Sequence, residues 1–199
     1  MATHHLRSTG RALTCCAAAL AGSLWGLTGP AGAAQAAPVA EGTYYQIIAR
    51  HSGKCLDVAH ASTDHAADVI QGNCSGGRNQ QWRVEAQGDG LFEIQARHSG
   101  KCLDVAHASR AHAADVIQGT CLGGKNQFWW FKSVPGEGRL ADGPDGAVPS
   151  TGQNVKIVAE HSGLVLDVAH GSIAHAANVL QANPWDPGFN QQWRFVPVR

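Results

Sequence analysis

The stretch "RHSGKCLDVAH", at Arg50–His60, recurs letter for letter at Arg97–His107, and a diverged copy, "EHSGLVLDVAH", occupies Glu160–His170. The residues around the first two copies match at the same offset, so the repeated unit is longer than the quoted motif. Internal repetition of this kind is typical of folds in which each unit buries its apolar face against its neighbours. The sequence therefore predicts three equivalent structural units rather than one asymmetric active site.

The three repeats extend over about residues 42–89, 90–136 and 153–199. Residues 137–152 have no counterpart in the other repeats. They are rich in glycine, proline and charged residues, which is typical of a surface loop. We expect a single domain over residues 37–199, with this loop inserted between the second and third repeats.

Each repeat contains four short segments with strand-forming residues, separated by turn residues and lacking a helical period. In the first repeat these segments are "YYQIIA", "KCLDVA", "ADVIQG" and "NQQWRVEA". One repeat alone would form two hairpins with an unburied apolar face, whereas three repeats together can close a barrel. The predicted fold class is all-β, a β-trefoil with pseudo-threefold symmetry. A three-bladed propeller is disfavoured because propellers typically have four blades or more.

Residues 1–36 have the pattern of a secretory signal peptide: Arg7 and Arg11 without acids, then an apolar stretch, then small residues. We expect cleavage after Ala36 and a secreted protein. A membrane anchor is disfavoured because the apolar stretch is short and interrupted by glycine. Lipid modification of Cys16 is a second alternative, disfavoured by the shortness of the preceding apolar stretch and by the adjacent Cys15.

Four cysteines follow the expected signal, and their spacing is the same in the first two repeats. Of the three pairings that four cysteines allow, one respects the repeat. A zinc site is the alternative, and it is disfavoured because the sequence has no Cys-x-x-Cys pair. The expected disulfides, which fit an oxidising compartment, are Cys55–Cys74 and Cys102–Cys121.

Charge and motifs argue against several classes of function. All fifteen acidic residues lie beyond residue 36, and so do all the Lys and Arg except Arg7 and Arg11, so the mature chain carries a formal charge of about −2. Nucleic acids and anionic membranes need a basic face. Glycoside hydrolysis needs two carboxylates about 5–10 Å apart, whereas the repeated Asp residues should be spread around an axis. We expect no enzyme activity, nucleic-acid partner, membrane span, cofactor or metal.

A Leu-Asp-Val strand, a paired cysteine later in the repeat and a closing Gln-x-Trp triplet together resemble the R-type lectins, the ricin B-chain-like domains that are also similar to carbohydrate-binding module family 13. The triplets stand at Gln80–Trp82, Gln127–Trp129 and Gln191–Trp193. The resemblance covers Gly42 to Arg199. It implies a β-trefoil in which each repeat can offer one shallow sugar pocket.

The resemblance also implies which residues bind sugar. The Asp that ends the second strand accepts hydrogen bonds from two sugar hydroxyls, as suits an acceptor-only carboxylate. The Asn before the triplet contacts a hydroxyl, the Gln that opens the triplet orients the Asp, and a Gln on the third strand lines the pocket. In repeat order these positions are Asp57, Asp104 and Asp167; Asn79, Asn126 and Asn190; Gln80, Gln127 and Gln191; and Gln71, Gln118 and Gln181.

The chain departs from this pattern after the third-strand Gln, where the family often has an aromatic residue. Here the residues are Gly72, Gly119 and Ala182. Either the pockets are degenerate, or another ring takes that place. The candidate rings are the His three residues after each Asp and one Trp in the third repeat, namely His60, His107, His170 and Trp185.

The sequence thus predicts a secreted, monomeric lectin with up to three carbohydrate sites. The ligands implied by the resemblance are galactosides, xylan-like plant polysaccharides and surface glycans. The alternative is a protein-binding trefoil, such as a secreted inhibitor or interaction module, that acts through the loop at residues 137–152.

Overall fold

The computed structural model describes residues 42–137 and 148–199. The expected signal peptide and residues 138–147 of the predicted loop lie outside the described residues. The described part contains twelve strands, four from each repeat. They are β1 Tyr44–Ala49, β2 Cys55–Val58, β3 Ala67–Gly72, β4 Trp82–Gly88, β5 Leu91–Ala96, β6 Cys102–Val105, β7 Ala114–Gly119, β8 Trp129–Ser133, β9 Asn154–Ala159, β10 Val165–Val168, β11 Ala177–Ala182 and β12 Trp193–Pro197.

Six of the strands close a barrel. The first and last strands of the three repeats pair antiparallel in the order β1, β4, β5, β8, β9 and β12, and β12 pairs back to β1. Closure pairs every strand of the ring on both sides, so the ring presents no free sheet edge. The chain starts and ends next to itself in this ring, with Tyr45 opposite Pro197.

The other six strands form three hairpins that cap the barrel. Each repeat contributes one hairpin, β2–β3, β6–β7 or β10–β11. The second strands of these hairpins, β3, β7 and β11, pair with one another around the pseudo-threefold axis. The predicted β-trefoil of three four-stranded repeats is confirmed. Its hairpin cap brings consecutive repeats into direct contact.

The core is built around one tryptophan per repeat, Trp82, Trp129 and Trp193, each fully buried. Each indole N–H donates to the backbone carbonyl of the leucine on the second strand of its own repeat, at 2.9–3.0 Å. A small residue lies opposite each ring in the barrel, as in the pair Trp193 and Ala49. Truncating one such tryptophan to Ala would cost about 3–5 kcal/mol. The closing Trp of each repeat is thus a core residue.

The two expected disulfides are present, Cys55–Cys74 and Cys102–Cys121, each joining residues 19 apart. Each bridge ties the start of the cap hairpin to the segment after its second strand. A loop of this length stabilises the fold by about 3 kcal/mol in the chain-entropy account. The third repeat has Val165 at the position of the first cysteine. None of the described residues forms a helix of the length and apolar character needed to cross a bilayer.

Candidate functional site

The recurring carboxylate stands at the end of the first strand of each cap hairpin. In the first repeat, Leu56 and Val58 belong to the hydrophobic core. Because side chains alternate along a strand, Asp57 between them points away from that core. It lies opposite Ile70 on β3. Asp57, Asp104 and Asp167 are only 6%, 6% and 4% exposed, so each carboxylate sits in a largely dry recess.

Two amides hold each carboxylate. Asn79 Nδ2 donates to Asp57 Oδ1 at 2.6 Å, and Gln80 Nε2 donates to Asp57 Oδ2 at 2.7 Å. Both amides come from the single 3₁₀ turn Arg78–Gln80, which directly precedes β4. The other repeats have the same arrangement, in which Asn126 and Gln127 hold Asp104, and Asn190 and Gln191 hold Asp167.

The amide hydrogens are used up by the protein itself. The same Asn79 Nδ2 also donates to the Val58 carbonyl, and Gln80 Nε2 also donates to the Asn73 carbonyl. A carboxylate can accept more bonds than the two it receives. A repeat by itself therefore presents hydrogen-bond acceptors, which suits a ligand that brings its own O–H or N–H donors.

Burial raises the pKa of the Asp104 and Asp167 carboxyls above their usual value of 3.8. The side-chain hydrogen bonds from Gln127 and Gln191 act in the opposite direction, followed by those from Asn126 and Asn190. The amide pair thus offsets part of the cost of holding a charge in a recess that water barely reaches.

The missing aromatic residue has a steric explanation. A Cβ placed on Gly72 would lie 2.2 Å from Asp57 Oδ2, and a Cβ on Gly119 would lie 2.2 Å from Asp104 Oδ2. A side chain at either position would require the carboxylate or the strand to shift. The third repeat has Ala182 there, 4% exposed. Asp167 beside Ala182 keeps both amide bonds, so a methyl group is accommodated there, whereas a ring in the first two repeats would displace the carboxylate.

The histidines predicted as replacement rings occupy a tight bend beside the carboxylate. His60, His107 and His170 all have left-handed backbones, with φ of 55°, 57° and 57°. A positive φ is uncommon for residues with a Cβ, and such strain is often retained where a side chain must be aimed. All three side chains are exposed. His107 lines a cavity together with Asp104.

That cavity, of about 510 Å³, is built by two repeats rather than one. The second repeat contributes Asp104, His107, Asn126 and Asp115. The first repeat contributes His65 and Ala66 from the bend before β3, and Asp68 from β3 itself. His65 was not among the predicted site residues. The sequence shows that this histidine recurs as His112 and His175, but it does not show which repeat the side chain faces.

The third-strand glutamines, which the resemblance placed at the pocket, lie between repeats. Gln71, Gln118 and Gln181 are completely buried. Gln118 Nε2 donates to the Ser62 and Asp64 carbonyls at 2.7 and 2.8 Å, and its Oε1 accepts a bond from Ser99 Oγ at 2.7 Å. Their place is between repeats because β3, β7 and β11 meet at the axis.

We call this set of bonds the inter-repeat clasp. In each case a buried Gln and the His of an "HSG" motif bind carbonyls in the bend of the preceding repeat. His98 Nε2 pairs with the Ser62 carbonyl at 2.8 Å, beside Gln118. The clasp recurs at the other two junctions. Gln181 and His161 of the third repeat bind carbonyls of the second repeat. Gln71 and His51 of the first repeat bind carbonyls of the third repeat. The His of the "HSG" motif is thus part of the contact between repeats.

Trp185 occupies the rim position that Ser75 and Leu122 occupy in the other repeats. Its backbone N–H donates to Gln191 Oε1 at 3.1 Å, as Ser75 and Leu122 donate to their own glutamines. Through Gln191 its backbone is connected to Asp167. The Trp185 residue is 52% exposed and Leu122 is 81% exposed. The rim therefore differs among three otherwise similar recesses.

Within residues 42–137 and 148–199, no three His, Cys, Asp or Glu side chains come together in a way that could hold a metal ion. The three recess carboxylates belong to separate repeats, so they do not form the carboxylate pair that glycoside hydrolysis uses.

Comparison with known proteins places this geometry in a family. The sequence matches the family described as "Ricin-type beta-trefoil lectin domain-like" over residues 25–119, 78–181 and 146–199. It is 45% identical to the designed threefold-symmetric protein ThreeFoil, with 78% of this chain and 99% of ThreeFoil covered and a TM-score of 0.68. No curated protein is a significant match.

Two natural proteins extend the comparison. The exo-β-1,3-galactanase 1,3Gal43A of Clostridium thermocellum is 31% identical over 79% of this chain, with a TM-score of 0.69, and this chain spans 31% of that enzyme. The Macrolepiota procera ricin B-like lectin, solved in complex with lactose, is 17% identical, with 80% and 98% of the two chains covered and a TM-score of 0.60. The latter likeness is one of fold. With its three repeats, its twelve strands and these matches, the chain belongs to the ricin-type β-trefoil lectin domain-like family.

Proposed function

We propose that this protein is a secreted carbohydrate-binding lectin with up to three shallow sites, centred on Asp57, Asp104 and Asp167. The observation that carries the proposal is the arrangement of each carboxylate, which two amides orient in a recess with spare lone pairs. Two adjacent sugar hydroxyls are donors that can fill those lone pairs. Charge-assisted bonds of this kind are stronger than bonds between neutral groups.

The charges of the cavity favour neutral sugars. The cavity at Asp104 also contains the exposed carboxylates of Asp68 and Asp115. A uronic or sialic acid would bring a further negative charge next to these groups, which costs free energy. We propose galactosides or plant polysaccharides as ligands. The lactose complex of the Macrolepiota lectin and the galactan-degrading activity named for the Clostridium enzyme support the galactose class.

Three sites on one rigid body suit a repetitive ligand. A shallow pocket of this kind typically holds a single sugar with a Kd near 1 mM, or about −4 kcal/mol. Simultaneous engagement of two or three pockets on a polymer or a glycan-coated surface raises the overall affinity without any new contact. Export fits this role and agrees with the two disulfides.

A glycan array followed by affinity chromatography on the best glycan tests the proposal. The triple variant Asp57→Ala, Asp104→Ala and Asp167→Ala should lose retention, because each recess loses its charged acceptor. Glu85→Ala removes a half-exposed carboxylate outside the recesses and should be retained like the parent protein. Fluorescence of the three buried tryptophans reports whether the triple variant is folded. Retention of a folded triple variant would overturn the proposal.

A further inference from the structure

The bend of each repeat is fixed onto the cap hairpin of the next repeat. At the first junction, Ala66 N–H donates to the Gln118 carbonyl at 2.9 Å, and Thr120 N–H donates to His65 Nδ1 at 3.2 Å. The second and third junctions have the same bonds to His112 and His175, from Asn183 N–H and Asn73 N–H. An exposed imidazole from one repeat is therefore held in a defined orientation over the following repeat.

This orientation brings the imidazole to the recess of the following repeat. His65 lines the cavity that contains Asp104, His107 and Asn126. Burial raises the pKa of Asp104, and an electrostatic interaction with His65 opposes that rise, after the hydrogen bonds from the two amides. Likewise His112, in the second repeat, acts on Asp167 in the third.

The bond to Thr120 also fixes the chemistry of the ring. A backbone N–H can only donate, so His65 Nδ1 is the acceptor, and the proton of the neutral imidazole is on Nε2. No protein acceptor for His65 Nε2 is found among the described residues. The ring thus carries a free N–H donor at the wall of the cavity.

The two amides of the recess have no hydrogen left to donate to a sugar. The amide hydrogens of Asn126 go to Asp104 Oδ1 and the Val105 carbonyl, and those of Gln127 go to Asp104 Oδ2 and the Thr120 carbonyl. The recess of one repeat therefore offers acceptors to a sugar but no free amide N–H. A sugar hydroxyl both donates and accepts, and a ring oxygen only accepts, so a neighbouring donor adds a contact that the carboxylate cannot make.

We propose that each sugar site is shared between consecutive repeats, with an Nε2–H donated from the bend of the preceding repeat. His65 completes the site of Asp104, His112 that of Asp167, and His175 that of Asp57. The inference rests on the proposed lectin function and deepens it, because the repeat that carries the carboxylate does not carry the whole site.

The test uses a protein with a single working site. The background Asp57→Ala with Asp167→Ala leaves Asp104 intact, and binding of lactose and of xylobiose is measured separately by NMR titration. In this background His65→Asn should weaken binding about tenfold, the effect of one hydrogen bond to a neutral ligand. The Asn oxygen can still accept the bond from Thr120, but the variant lacks the Nε2–H. The Gln amide of His65→Gln lies near the Nε2 position and should restore most of the affinity.

His112→Asn is the matched control. His112 is the residue equivalent to His65 in the second repeat, which is also the repeat that carries Asp104. His112 faces the site of Asp167, which is disabled in this background. A shared site predicts that His112→Asn leaves binding at Asp104 unchanged while His65→Asn weakens it, whereas a site confined to one repeat predicts that His65→Asn has no effect either. Nitrogen chemical shifts of the imidazoles provide a second readout, since ligand should shift the Nε2 resonance of His65 and leave that of His112 in place.

Failure of the inference and failure of the function give different results. If neither the parent protein nor the background binds either sugar, and the glycan array is blank, the lectin function is wrong and the sharing falls with it. If the background binds sugar but His65→Asn has no effect, or His112→Asn has the same effect, sites are not shared between repeats. An equal loss in His65→Asn and His65→Gln would overturn the donor role of Nε2.

Discussion

The inter-repeat clasp should carry a measurable part of the stability, and Gln118→Met tests this directly. Methionine has a length and volume close to those of glutamine, so the substitution removes hydrogen bonds without opening a large cavity. Gln118 is fully buried and makes three bonds through its amide, to Ser62, Asp64 and Ser99. Breaking them loosens the contact between the first and second repeats.

The expected magnitude follows from the groups that lose a partner. The Ser62 carbonyl keeps its bond to His98 Nε2. The carbonyl of the exposed Asp64 and the hydroxyl of the half-buried Ser99 lose the partners that Gln118 provides. Each of the three hydrogen bonds lost contributes about 0.5–1.5 kcal/mol. We expect the free energy of unfolding to fall by about 3 kcal/mol. For a domain of this size that corresponds to a decrease in Tm of about 6–12 °C.

Urea unfolding followed by tryptophan fluorescence, together with thermal unfolding, measures this loss. Gln87→Met is the control, since Gln87 is exposed and makes one long bond to Glu93 at 3.3 Å. It should change stability by less than about 0.5 kcal/mol. A loss below about 1 kcal/mol for Gln118→Met would show that the clasp carries little of the stability. Because the clasped bend also carries His65, sugar binding at Asp104 should weaken in the same variant.

Two further predictions concern the recess itself. Gly119→Ala should weaken binding at the Asp104 site severalfold, because the new Cβ would lie 2.2 Å from Asp104 Oδ2. The control Ala182→Gly, in the third repeat, should leave binding at Asp167 intact. Equal calorimetric affinities for Gly119→Ala and its parent would contradict the steric account. Affinity should fall on acidification from a pH above 3.8, because burial raises the pKa of Asp104 and Asp167 and sugar donors need the ionised form. The stability linked to these two carboxyls should change in the opposite sense, since a raised folded pKa favours the protonated folded state, so this contribution is complete below the unfolded pKa and is lost as pH rises through the folded pKa. Titrations of binding and of unfolding against the variant Asp104→Asn with Asp167→Asn check both trends, and parallel trends would refute the assignment.

The repeat made much of the fold and of the recess predictable. The four strand-forming segments of each repeat predicted the closed trefoil, and the equal cysteine spacing in the first two repeats predicted the two disulfides. The bond from Gln80 to Asp57 is one that the family resemblance implied, whereas the bond from Asn79 to the same carboxylate is not. These contacts join residues of the same repeat. A repeated sequence pattern therefore predicts the same contacts in each structural unit.

The sequence alone also determined that residues such as Gln71, Gln118 and Gln181, or His65, His112 and His175, are equivalent to one another. Only the tertiary structure decided what they touch. Gln118 and His65 act across the junction between two repeats, and a period fixes spacing along the chain but not which repeat a side chain faces once the ring of repeats has closed. The same holds for Gly72 and Gly119. Their lack of a side chain is explained only by the pairing of the second and third strands, which brings the carboxylates of Asp57 and Asp104 against them.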